Sequence, residues 1–235
     1  MANYPISDTK IIGSFAPREH DSSCSLCGEL HGTIAPIHRI AVPMSPQSRI
    51  LRTKNNWMAV PSIGPLAPGH LMMVCKQHFP SVLNCSDAND CFLLAQECAT
   101  ILESLYGSPI IAFEHGCRSG GLNLSGACVQ HAHLHLVPAP MQFLRNVLAD
   151  FDGWQRSINL NYPLEAFADV EYLLIGNVLP DLSLWLHKCH EPSPSQALRR
   201  ALANSLGISE AWDWKKSARG EVFLQTIKDW ERKCG

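Results

Sequence analysis

Charge is scarce in this 235-residue chain: 19 Lys and Arg with 21 Asp and Glu make 17% of it, below the roughly 25% of an average globular protein. The net charge of −2 leaves no basic surplus, which excludes a nucleic-acid backbone or an anionic membrane as the expected partner. A small nucleotide stays open, since a few aimed donors suffice to bind it. No apolar run approaches the roughly 18 residues of a spanning helix. The stretch MANYPISDTKIIGSFAPREH lacks a basic cap before an apolar core, so no secretory signal is expected. Ten cysteines, about 4% of the chain, are half the density of a disulfide scaffold. Cys75, Cys91 and Cys98 fall in apolar stretches and read as small buried hydrophobes in a reducing, cytoplasmic setting. Internal repeats and low-complexity tracts are also missing.

What is present is enough apolar material, 46% of residues, to build a sizeable core in one elaborated domain or one domain with a smaller partner. Residues 1–22 carry little periodicity and read as a loosely draped arm. SRILRT, NWMAVPSI and HLMMVCK read as strands, the last two separated by the turn Gly64-Pro65-Leu66-Ala67-Pro68-Gly69. Cys91, Leu94, Ala95, Cys98, Ile101, Leu102 and Leu105 recur at helical steps, with Ser86 or Asp87 as cap and Gly107 and Pro109 as stop. A strand PIIAFEH, a loop GCRSGGLNLSG and a strand ACVQHAHLHLVP follow. Beyond Pro140 the pattern predicts a short helix MQFLRNVLADF, a strand EYLLIG, a capping-box helix opening at Ser193-Pro194-Ser195-Gln196 and closing at Gly207, and a last helix with Phe223, Ile227 and Trp230. Five of the six tryptophans lie in this half and read as core and packing surface.

The segment His131-Ala132-His133-Leu134-His135-Leu136 carries most of the chemistry. On a strand, alternate side chains share a face, so three imidazoles point one way while Ala132, Leu134 and Leu136 pack behind. Two readings follow: a three-histidine metal site, or a row in which one ring attacks and its neighbours orient and protonate. The preceding loop, with Gly120, Gly121, Gly126, Ser119 and Ser125, lets backbone amides turn toward an anion, which suggests phosphate beside imidazole. Cys24-Ser25-Leu26-Cys27 is a CxxC without a surrounding βαβ pattern, which favours metal over redox work. His78 and His131, each at the end of a predicted strand, are candidates for the remaining ligands.

CSLC, PGHLMMVCKQH and GACVQHAHLHLVP, in this order and spacing, resemble the histidine triad (HIT) family of nucleotide hydrolases and transferases over roughly Cys24 to Pro138. The resemblance implies an α+β fold with an antiparallel HIT-like sheet and helices, plus a C-terminal mixed or helical extension. It implies a catalytic domain over 23–145 and an extension of unknown role over 146–235. By the same resemblance His133 is the nucleophile, His135 lies beside the leaving-group oxygen, and His70 lines the pocket. Gly120, Gly121, Ser125, Gly126, Cys128 and Ser62 are expected as the nucleotide and phosphate contacts. The resemblance further implies a structural Zn2+ held by Cys24, Cys27, His78 and His131. The chain departs from the family pattern at Cys128 for serine, Ala127 for glutamine, Ser62 for an acidic residue, and Glu114-His115 for an asparagine-containing turn.

The implied activity is a nucleotide-processing hydrolase cleaving a phosphoanhydride or phosphoramidate bond at the α-phosphorus of a nucleoside phosphate, through a nucleotidyl-histidine intermediate. The partner is a nucleoside phosphate or dinucleoside polyphosphate, with no nucleic acid and no membrane, and a homodimer is compatible with it. Two alternatives stand beside it: a nucleotidylyltransferase of the same family, or a non-catalytic, zinc-organised nucleotide-binding module, which the departures motivate.

Overall fold

A computed structural model describes residues 21–31, 49–158, 160 and 164–235. All of the arm expected over 1–22 except residues 21 and 22 lies outside the described residues. Five α-helices are described: α1 (Ser25–Leu30), α2 (Ala88–Tyr106), α3 (Met141–Asp150), α4 (Ala197–Ser205) and α5 (Gly220–Cys234). The strands are β1 (Arg52–Lys54), β2 (Trp57–Pro61), β3 (Leu71–Cys75), β4 (Ile110–Gly116), β5 (His133–Pro138), β6 (Gln155–Ile158), β7 (Tyr172–Asn177) and β8 (Ser183–Lys188). They form one sheet in the order β1-β2-β3-β5-β4-β7-β8-β6, antiparallel at every pairing. The fold is α+β, as expected. Residues 146–235 contribute three strands to that same sheet, and the expected boundary at 145/146 falls inside α3. No helix among the described residues is long and apolar enough to cross a membrane.

Alternation along the strands sorts the side chains into two layers. Leu71, Met73, Leu134, Leu136, Ala112, Leu174 and Leu184 face α2, whose Cys91, Leu94, Ala95, Cys98 and Leu102 pack against them. The cysteines expected to be small hydrophobes are fully buried there. On the opposite face, Leu26 of α1 packs on Met58, Val60, Met72 and Val74. Further along that face, α3 and α4 pack on Ile111, Phe113, Val137, Leu173 and Ile175. The histidine-bearing strand β5 runs between these two apolar clusters, because Met72 and Phe113 are the cross-strand partners of His135. The sheet centre is therefore left for polar side chains.

Glu114, pointing into the α2 layer, is the conspicuous polar residue of the core. Its Oε1 accepts the Val82 N–H at 2.8 Å and its Oε2 accepts the Tyr172 hydroxyl at 2.6 Å. Burial pushes its carboxyl up from 4.5 to about 8. A carboxyl with a raised folded-state pKa binds its proton more tightly folded than unfolded, so stability falls as pH rises from 4.5 toward 8, by about 1.4 kcal/mol per unit. Glu114→Gln removes the titration and keeps an acceptor for Val82, while its amide N–H faces the Tyr172 oxygen with the direction of that bond reversed. Chemical denaturation of the variant across that range should show a flatter profile than wild type; parallel profiles would assign the slope elsewhere.

Candidate active site

Four of the expected metal ligands converge. Cys24 and Cys27 stand at the cap and first turn of α1, and α1 is held against β3 by Leu26. The ligand atoms of Cys24, Cys27, His78 and His131 all lie within 4.8 Å of one another, so the group could hold a metal ion. His131 Nδ1 sits 3.5 Å from both sulfurs, and His78 Nδ1 sits 3.4 Å from Cys27 Sγ. His131 Nε2 donates to the Cys75 carbonyl at 2.7 Å, which leaves the Nδ1 lone pair aimed at the thiols. Burial pushes the Cys24 thiol up to about 12, a penalty that a cation among these donors would reverse.

One expectation about this region needs correcting. The strand begins at His133, not at Ala127, and His131 lies in the preceding turn. Ala132 still pairs its backbone with Phe79 and Cys75, while the His131 ring turns to the cysteines. The three imidazoles therefore do not form one row: His131 belongs to the cluster with Cys24, Cys27 and His78, and His133 and His135 share the face.

Hydrogen bonds fix the tautomers of the remaining rings. The Leu66 N–H donates to His70 Nδ1 at 3.0 Å, so His70 carries its proton on Nε2 and donates it to His135 Nδ1 at 2.9 Å. His135 is thereby left with a proton on Nε2, and Phe113 stacks on its ring at 4.5 Å between centroids. His133 Nδ1 donates to the His131 carbonyl at 2.6 Å, which leaves the Nε2 lone pair unspent. Burial lowers His133 below its ordinary value and holds His70 and His135 well below theirs, so the rings are neutral at neutral pH. A neutral imidazole with one bound proton and one open lone pair can attack an electrophile, and its neighbour can donate.

His133 and His135 open into a cavity. Leu26 and Glu29 of α1 wall one side, with Met72, and Glu29 is paired with buried Arg49. Ser62 and Cys128 line the cavity. Cys128, however, is an acceptor here: the Trp214 indole N–H donates to its sulfur at 3.2 Å. Trp214, read from sequence as packing surface, lines the cavity as well.

The glycine loop is placed differently from its expected role. Gly120, Gly121, Ser125 and Gly126 do not line the cavity. The amides of Asn123 and Leu124 donate to the carboxylate of Glu171, so an internal anion occupies the turn where phosphate was expected. Gly126 adopts φ +69°, and a Cβ there would collide with the Pro194 carbonyl oxygen. The loop also replaces the capping box: Ser193 N donates to Leu124 O and Gln196 N to Gly126 O, and α4 starts only at Ala197. Its Leu198 N–H is capped instead by His115 Nε2 at 3.1 Å. Gly126→Val should therefore act on stability, by about 2–5 kcal/mol from left-handed strain and overpacking, and not through loss of a phosphate contact. Urea unfolding checks it; an unchanged midpoint would return the loop to a functional reading.

Two arginines that the sequence does not single out complete the site. Arg219 Nη1 donates to the Pro65 and Leu66 carbonyls, both at 2.8 Å, clamping the turn that feeds His70. Arg199 of α4 is 2% exposed and lines the cavity beside His133 and His135. Its Nε donates to Trp212 O at 3.0 Å and its Nη2 to Gly64 O at 2.7 Å.

No protein-family model matches the chain. A curated bis(5'-adenosyl)-triphosphatase of Dictyostelium discoideum is 30% identical over 94 residues, 39% of this chain. The alignment spans 60% of that relative's length. Among solved structures, a Hit-like protein involved in cell-cycle regulation from Bartonella henselae aligns with a TM-score of 0.39 and 17% identity, covering 52% of this chain and 82% of that one. The HAHLH segment with His133 and His135 on the central strand, their partner His70 in PGH and the clustered CSLC accompany this similarity to a histidine triad nucleotide hydrolase.

Proposed function

We propose that the chain hydrolyses a phosphoanhydride or phosphoramidate bond at the α-phosphorus of a nucleoside phosphate. The observation that carries this reading is the His133 Nδ1 bond to the His131 carbonyl, because it leaves Nε2 as the ring's only nucleophilic atom and points to its use. In the first step a His133 Nε2–phosphorus bond forms and the bond from phosphorus to the leaving group breaks. The electron pair departs with the leaving group, which takes a hydrogen bond from His135 Nε2–H. The imidazolium charge on His133 is stabilised by the Nδ1–H bond to the backbone carbonyl. Water then attacks phosphorus from the vacated side, cleaves the phosphorus–nitrogen bond and restores the neutral ring. The name of the Dictyostelium relative favours a dinucleoside polyphosphate among the candidate substrates.

The metal in this reading is a structural zinc held by Cys24, Cys27, His78 and His131. Zinc–sulfur bonds of about 2.3 Å and zinc–nitrogen bonds of about 2.0–2.1 Å give tetrahedral sulfur–nitrogen edges of about 3.6 Å. The corresponding separations of 3.4–3.5 Å fit that geometry. Four protein ligands would leave no position for water, and held by them His131 would keep in place the carbonyl that orients His133.

Incubation with dinucleoside polyphosphates, nucleoside phosphoramidates and nucleotide sugars, followed by acid-free quench and mass spectrometry, tests the reading. A nucleotidyl adduct on His133 and release of a nucleoside monophosphate are expected. A product carrying the nucleotide on a second substrate would favour the transferase, and turnover without any adduct would sink the covalent route.

A further inference from the structure

We infer that Arg199 binds the substrate's α-phosphate, so that the segment beyond residue 145 supplies the positive charge of the active site. The inference rests on the nucleoside-phosphate reading of the cavity. Phosphate needs an electropositive partner, and the loop expected to provide one has given its amides to Glu171. Ser62 directs its hydroxyl at the Ile63 carbonyl, 3.3 Å away, and Cys128 accepts from Trp214. Among the described residues Arg199 is the cation left in the cavity wall, because those that line it include no lysine and no second arginine.

Its environment is built for an anion. A guanidinium has five N–H donors, of which two are bound to backbone carbonyls here. Those two bonds fix the plane of the fork between Gly64 and Trp212 while the group lines the space beside His133. Among the described residues no carboxylate lies within ion-pair distance of it, and Asp213 acts on it only at longer range. Burial without a paired anion is costly enough to lower its pKa to about 10. A bound phosphate oxygen would supply the missing charge through a charge-assisted, geometrically fixed contact of the kind arginine favours. The same charge would grow in importance as negative charge builds on the non-bridging oxygens during attack by His133.

Calorimetric titration of the full chain with the four ribonucleosides and their 5′-monophosphates separates the contributions. Wild type should bind one monophosphate more tightly than its nucleoside, and Arg199→Met should lose roughly 10- to 100-fold of that advantage at unchanged nucleoside affinity. Arg199→Lys should keep part of it. Should Arg199→Met fail to fold, the side-chain 15N signal of Arg199 in wild type decides instead. That signal should shift on adding the monophosphate and stay in place with the nucleoside. A phosphate advantage that survives in Arg199→Met, or an Arg199 signal indifferent to the monophosphate, would overturn this inference alone. If wild type binds none of the eight ligands, the nucleotide reading falls first and this one with it.

Discussion

Replacing His133 by alanine is expected to reduce turnover by roughly 10⁴–10⁶-fold, the loss typical of removing a covalent nucleophile from a site whose binding groups remain. The expectation follows from the division of labour among the rings. His131 spends both nitrogens, one on Cys75 O and one toward the thiols. His70 spends both on Leu66 N and His135. His135 has its Nδ1 occupied as an acceptor, so only His133 offers a lone pair to the cavity. Alanine there deletes a ring that borders the cavity rather than the packed layer under α2, so folding stability should change by no more than about 2 kcal/mol. Single-turnover assays with metal analysis of the same samples check both halves. Adduct formation on another histidine, or loss of metal together with activity, would reassign the roles.

Losing the proposed zinc ion is expected to have the largest effect on stability. α1 has six residues, far fewer than the roughly 12–15 at which an isolated helix becomes marginal in water. It is held by Leu26 packing and by the cluster that ties Cys24 and Cys27 to His78 and His131. Structural zinc contributes roughly 10–16 kcal/mol of apparent binding energy in small peptides, and the loss here should be several kcal/mol because the α2 core persists without it. Cys24→Ser, or incubation with a strong chelator, should remove one zinc per chain and lower the melting midpoint. Nucleoside affinity should fall with it, since Ser25, Leu26 and Glu29 of α1 line the cavity. A melting midpoint indifferent to both treatments would reduce the four side chains to a chance cluster.

The helix α2 was readable from its periodic Cys91, Leu94, Ala95, Cys98 and Leu102, and its cap Asp87 and stop Gly107 stand where the pattern puts them. Strands β2, β3, β4 and β7, and helices α3 and α5, were readable for the same reason. β6 and β8 were not. QRSI buries only Ser157, so no apolar alternation marks β6. In β8 the tryptophan between Leu184 and Leu186 hides the alternation that burial reveals. Both strands exist because β7 offers an edge to pair with, which is a property of the assembled sheet.

Residue types in a short span determined by themselves the chemistry this protein has to offer: imidazoles two apart, thiols three apart, and a strand pattern to carry them. Those are local facts, set by the pitch of a strand or the first turn of a helix. Tertiary structure alone decided which groups are spent and which stay open. Glu171 takes the loop amides, His115 caps α4, and His131 leaves the strand for the cysteines. Arg199 shows the division most clearly. Beside Arg200 on an amphipathic helix it reads as a solvated charge, yet contacts with Gly64 and Trp212 bury it against the triad cavity. Burial and hydrogen-bond satisfaction depend on partners up to 135 residues away, and no local pattern encodes them.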